Sequence, residues 1–177
     1  GKPVTDRRGK VVEINALWYN AIVFAVTQSE KANDAAFLKK FKHLPEKIKH
    51  SFIATFWQEE DKYLADFVDE SDLSLKVRPN QLVACSLPHT PLEMDQIAGV
   101  LSCVRQELLT PRGIRTLSPN EQGYQGISFG NQEDRDLSIH QGTVWPWLLE
   151  HYCLTYAKVY KKSGLQHLND ILDQFEP

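Results

Sequence analysis

The stretch Asp134-Arg135-Asp136-Leu137-Ser138-Ile139-His140-Gln141-Gly142-Thr143-Val144-Trp145-Pro146-Trp147-Leu148-Leu149 decides how the rest of the chain is read. It reads as a charged loop running into an imidazole, an amide and a glycine. Thr143 is a good N-cap, and Pro146 is tolerated in a first helical turn, where its missing N–H has no intrahelical partner to lose. The spacing therefore predicts a helix from Val144 to Lys162 with two indoles at its mouth and Gly164 ending it. Free N–H donors beside flat apolar faces suit a sugar ring, with hydroxyls to bind and C–H faces to stack. The competing reading is a helix anchored by core tryptophans behind a solvated loop, since large aromatics are mostly packing residues.

Working outward, the same helical period recurs. Val11 to Gln28 carries Ile14, Leu17, Trp18, Ala21, Ile22, Ala25 and Val26 at three- and four-residue steps, with Val12, Tyr19, Val23 and Phe24 on other sides. A helix apolar on several sides packs between neighbours. Glu13 lies in its first turn, where a carboxylate suits the helix dipole or bonds a polyol. Asn33 to Lys42 and Glu46 to Glu59 read as one helical region broken near Pro45, with its lysines on a solvated face. Tyr63 to Leu75, with Asp66, Asp69, Glu70 and Asp72, reads as an extended acidic connection with short strands. Pro79 biases Arg78 away from helical dihedrals, and Asn80 caps a short helix through Cys85 and Leu87. Leu92 to Leu109 is strongly periodic. Thr110 to His140 lacks a period and holds Arg112, Arg115, Tyr124, Phe129, Arg135 and Asp136, which favours an ordered functional loop. Leu165 to Phe175 is a last amphipathic helix, and Gly1 to Lys10 a loop. The pattern is all-α, with polar and aromatic clusters repeatedly at helix starts.

The totals exclude several classes. With 177 residues the chain is long enough for one domain with a sizeable core. The net charge of −3 argues against nucleic acid as the main partner. No apolar stretch is long enough for a bilayer, and the N-terminal residues do not read as a signal peptide. The three cysteines are widely spaced among apolar neighbours and read as buried thiols in a reducing, cytoplasmic setting. The six histidines show no ligand spacing, so no metal is expected.

Four blocks occur in order: Val12-Glu13-Ile14-Asn15-Ala16-Leu17-Trp18-Tyr19-Asn20; Arg78-Pro79-Asn80-Gln81; Leu108-Leu109-Thr110-Pro111 with Gly113-Ile114-Arg115-Thr116-Leu117; and His140-Gln141-Gly142-Thr143-Val144-Trp145-Pro146-Trp147. Together they resemble the C-terminal glucosidase domain of bacterial and archaeal glycogen debranching enzymes, over nearly the whole chain. The resemblance implies an (α/α) six-hairpin barrel that hydrolyses the α-1,6-linked glucosyl stub of glycogen or another branched α-glucan. The resemblance further implies that this reaction proceeds with inversion and without cofactor or metal. It carries over Glu13, Asn15 and Trp18; Arg78, Asn80 and Gln81; Arg115 and Tyr124; and Asp136, His140, Gln141, Trp145 and Trp147 as sugar-binding or supporting residues.

The catalytic acid and base stay unassigned. Glu13 and Asp136 are the carboxylates that the blocks place nearest the cleft, and salt bridges to Arg78, Arg115 or Arg135 are the competing role for them. Eukaryotic relatives carry a glutamate where this chain has Val144. A six-hairpin barrel needs about twelve helices and the periodic stretches supply roughly six. The resemblance therefore places the acid-bearing motif before Gly1 and a later acidic block after Pro177, with this chain about half of the barrel. Such a half would expose apolar faces and self-associate. Two other functions remain open: a non-catalytic carbohydrate-binding module, and another α/α-toroid glycosidase of trehalase-like or glucoamylase-like type.

Overall fold

The structure is a computed structural model that describes Thr5 and residues 7–175; the expected N-terminal loop lies partly outside the described residues. A short strand β1 (Lys10–Val11) runs straight into α1 (Val12–Ala32). Asn33 ends α1 in the left-handed conformation (φ 54°), and the Asp34 side chain then accepts from Phe37 N at 3.0 Å to start α2 (Ala35–Phe41). Asn tolerates that backbone and Asp supplies the cap, so the chain turns within two residues. α3 (Leu44–Phe56) follows, with Pro45 in its first turn. The hairpin β2 (Trp57–Gln58) and β3 (Tyr63–Leu64) leads to β4 (Phe67–Val68) and β5 (Leu73–Ser74); β3 to β5 fall in the acidic segment expected to hold short strands, whereas β2 replaces the end of the helix expected to run to Glu59.

Next come α4 (Gln81–Ser86) and α5 (Met94–Glu107), then the hairpin β6 (Leu109–Thr110) and β7 (Gly113–Arg115). α6 (Gln132–Ile139), β8 (Val144–Trp145), a 3-10 turn over Pro146–Leu148, α7 (Leu149–Tyr160) and α8 (Leu165–Asp173) complete the described chain.

The fold is mostly helical, and the all-α expectation needs correction: three small antiparallel sheets, β1-β4-β5, β2-β3 and β6-β7-β8, sit among the helices. The largest correction falls on the opening stretch. Gln132–Ile139 is a helix, not a charged loop, and Asn131 accepts from Asp134 N at 3.0 Å while Asp134 accepts from Asn131 N at 3.2 Å. That reciprocal cap was readable from the Asn-x-x-Asp spacing. Thr143 does not cap α7. Its hydroxyl donates to Ser138 O at 2.8 Å and closes the end of α6. Val144 and Trp145 extend against β7, with Trp145 opposite Ile114. Pro146 is the physical reason, because a residue before proline is pushed toward extended dihedrals. Gly164 does not end α7 either; the helix stops at Lys161 (φ 51°). A Cβ at Gly164 would meet the Tyr156 ring at 2.7 Å, so the glycine serves the close approach of the following turn to α7.

The core is centred on α4, which contacts α1, α5 and α7. Leu82, Ala84 and Cys85 are fully buried, and Gln81 and Ser86 nearly so. A helix six residues long has little stability of its own, so packing on all sides holds it. The Gln81 side chain answers the local backbone, accepting from Leu64 N at 3.3 Å and donating to Arg78 O at 3.0 Å. Lys158 from α7 donates to Cys85 O at 2.7 Å and also to Leu87 O, satisfying carbonyls at the end of α4. Burial lowers the pKa of this lysine. Among the described residues no helix is long and apolar enough to cross a membrane.

Candidate active site

A hollow of about 510 Å³ opens where the starts of α4 and α7 approach the segment before β1. Thr5, Arg7, Arg78, Pro79, Asn80, Thr116, His140, Trp147 and Leu148 line it. That volume lies within the roughly 300–1,000 Å³ usual for small-molecule sites.

The wall is an ion-pair network built on Asp66, which is only 2% exposed. Asp66 Oδ2 accepts from Arg7 Nε at 2.7 Å, and Oδ1 accepts from Arg7 Nη2 at 3.0 Å and Asn80 Nδ2 at 2.8 Å. Arg7 turns its other edge to Glu13, donating from Nη1 and Nη2 to the two carboxylate oxygens at 2.6 Å each. One guanidinium thus forks two carboxylates, a geometry a lysine would not reproduce. Burial works against the Arg7 charge, but the bonds and charges of Glu13 and Asp66 outweigh it and raise the pKa. Arg78 approaches Asp66 at 3.8 Å. It donates to Thr116 O at 3.1 Å, to His140 O and to Gln141 Oε1 at 2.8 Å. Burial lowers its pKa, against the pull of Asp66. Arg78 therefore ties the start of α4 to the segment between α6 and β8.

On the far side Trp147 is 62% exposed and stands edge-on to His151, with ring centroids 6.4 Å apart. His151 Nδ1 lies 2.9 Å from the Ser86 hydroxyl on α4, so the central helix fixes the base of the aromatic wall. The Thr5 hydroxyl is buried and has no hydrogen-bond partner among the described residues. Two arginines, an amide, an imidazole, hydroxyls and an indole thus face one cavity, a set that bonds hydroxyls and stacks on a sugar face. Among the described residues no group of three or more His, Cys, Asp or Glu is placed to hold a metal ion.

The expected site residues divide. Arg78, Asn80, His140 and Trp147 line the hollow. Glu13 and Gln141 brace it through Arg7 and Arg78. The expected cap at Asn80 is replaced by its bond to Asp66, and the guanidinium that holds Glu13 is Arg7, not Arg78, Arg115 or Arg135. Gln81 is buried in backbone bonds. Arg115, on β7, donates to Leu109 O at 3.4 Å, and Arg135 donates to Gly130 O at 2.7 Å. Tyr124 lies against Gly142, whose absent Cβ would meet its ring at 2.6 Å. Trp145 donates its indole N–H to Ile139 O at 3.2 Å and packs on the core. Asp136, on α6, accepts from Gln132 Nε2 at 2.6 Å. Asn15 and Trp18 line a separate hollow.

Arg7 and Asp66 were missed. Asp66 carried a signal: a single acid between Ala65 and Phe67 in an apolar run calls for a partner. Arg7 carried none, because it looks like any basic residue of a polar terminus.

Fold and hollow together define a mostly helical domain that gathers charged and aromatic side chains from distant loops around a cavity of small-molecule size. The family described as amylo-alpha-1,6-glucosidase matches residues 1–177, and the chain belongs to that family, which is of glycoside-hydrolase type. No curated protein matches the chain significantly.

Proposed function

We propose that the hollow between Arg7, Arg78, His140 and Trp147 holds a glucosyl unit of a branched α-glucan. In this reading the chain is one unit of an (α/α) six-hairpin barrel whose parent hydrolyses α-1,6 branch-point linkages with inversion and without a cofactor. One observation carries it: through Glu13, Arg78, Thr116 and the His140–Gln141 pair, the Arg7–Asp66–Arg78 network joins all four sequence blocks at a single cavity beside an exposed indole.

Inverting hydrolysis needs an acid and a base about 6.5–9.5 Å apart across the scissile bond. Glu13 and Asp66 are both engaged by Arg7, which suits holding a wall and not donating a proton. Asp136 does not line the hollow. The acid and base therefore belong outside this network. The same engagement favours, as a second reading, a unit that binds carbohydrate without cleaving it.

Glucose release from a branched limit dextrin, with and without the Trp147→Ala change, tests the first reading. Release that is lost in the variant is expected; no release by the full-length parent overturns hydrolysis. Heat on calorimetric titration with isomaltose but no turnover favours the second reading.

A further inference from the structure

A second hollow, of about 450 Å³, opens between α1 and α3. Its size also suits a small molecule. Phe52 and Phe56 are buried at its base, with ring centroids 4.9 Å apart. Trp18 lines it from α1 and is 55% exposed, so its indole is not spent in the core. An open indole face over an apolar base suits a planar ring.

Charge sets this hollow apart from the first. There the guanidinium of Arg7 is answered by Glu13 and Asp66. Here the lining holds two ammonium groups, Lys10 and Lys47, and no carboxylate. Other lysines near α3 are answered too, Lys42 by Glu30 at 3.3 Å and Lys49 by Glu93 at 2.6 Å. Among the described residues Lys10 and Lys47 form no salt bridge, and both are exposed. Two unanswered positive charges around a hollow draw an anion into it. A neutral sugar would leave that charge unmatched. A phosphate monoester carries about −1.5 to −2 at pH 7, which balances two ammonium groups.

We propose that the hollow between α1 and α3 binds a heteroaromatic phosphate of the nucleoside monophosphate class, its ring on Trp18 and its phosphate on Lys10 and Lys47. Ser51 and Thr55 add hydroxyls to the lining. Asn15 gives an amide N–H to Val11 O at 2.8 Å, so its carbonyl oxygen remains to accept from the ligand. The site is independent of the glucosyl reading of the first hollow.

Calorimetric titration with adenosine 5′-monophosphate tests this, with adenosine, inorganic phosphate and maltoheptaose as separate arms. Trp18→Ala removes the stacking face, Lys47→Glu reverses one rim charge, and Lys47→Gln removes it more gently. Lys39→Glu changes an exposed lysine of α2 outside the hollow. Circular dichroism checks that each variant folds. The nucleotide should bind at least about tenfold more tightly than adenosine or phosphate alone. Trp18→Ala and Lys47→Glu should each weaken it by about tenfold or more, and Lys47→Gln by about threefold. Lys39→Glu should leave it within about twofold. No nucleotide binding overturns the proposal. So does adenosine binding as tightly as the nucleotide, which removes the lysines from the site, or phosphate doing so, which removes the indole. Equal weakening by Lys39→Glu and Lys47→Glu reduces the effect to diffuse attraction and also overturns it, as does displacement of the nucleotide by maltoheptaose.

Discussion

At the scale of the residue, Asp66 is the side chain on which the wall depends. It is buried among two guanidiniums and an amide. Removing one partner from a buried ionic cluster leaves the others uncompensated in a medium that disfavours isolated charge. Asp66→Ala should therefore destabilise the fold by about 3–5 kcal/mol, read as a lower urea midpoint. A midpoint within experimental scatter of the unaltered protein would show that the network is solvated and weak. Asp66→Asn, which keeps the shape and loses the charge, should recover part of the difference. The lesson for sequence reading lies in the same cluster. Glu13, Arg78 and Asn80 stand in blocks whose residue types point to a site. Asp66 was grouped with an acidic connection because Asp69, Glu70 and Asp72 follow it. Its apolar flanks mark it off from those neighbours, and they mattered more than the count of acids nearby.

At the scale of the element, α4 shows how a helix too short to stand alone is held. Lys158 caps its end from α7. Lys158→Met keeps most of the apolar stem and leaves two carbonyls short of a charge-assisted donor. The expected cost is about 1–3 kcal/mol in denaturant unfolding, and a neutral outcome would mean that water replaces the lysine. The α7–α8 contact carries a pH dependence. The Tyr152 hydroxyl lies 2.9 Å from His167 Nε2, and the imidazole stacks on Tyr156 with centroids 4.4 Å apart. Burial, and then repulsion from Arg105, lower the His167 pKa, while Asp170 opposes the shift. The folded protein then binds fewer protons than the unfolded chain just below the ordinary histidine pKa of about 6.5. Stability from this residue is thus full above that pH and is lost as pH falls through the window beneath it. His167→Gln should flatten that part of the stability profile just below about pH 6.5; parallel profiles for variant and parent would refute the assignment. The helices that carry apolar residues at regular steps were readable within a few residues of their ends. α6 was not, because its pattern is polar and only its cap announces it. β8 was not, because two strand residues have no period of their own and owe their form to Pro146 and to pairing with β7.

At the scale of the whole molecule, α1 exposes Ile14, Leu17 and Phe24, and α8 exposes Leu165 and Leu172. Apolar surface gathered on helix faces drives association. The protein is expected to show a sedimentation coefficient that rises with concentration, and Ile14→Lys with Leu17→Glu should suppress the rise. A concentration-independent monomer would show that these faces tolerate water. Taken alone, the sequence determined where most of the helices run and to which family the ordered blocks point; both rest on near neighbours along the chain, since a helix writes its period as a three- and four-residue repeat. It did not determine which face of α1 is buried: Ile14, Leu17 and Trp18, expected on the packed face, are exposed, while Val12 and Tyr19, expected on other sides, are buried with Ala16. Only the tertiary structure decided that Arg7 meets Asp66 across 59 positions, that Arg78 reaches the His140 carbonyl, and that the first block divides between two hollows. An ion pair between remote residues leaves no local period, because its partners are chosen by how packed helices bring loops together.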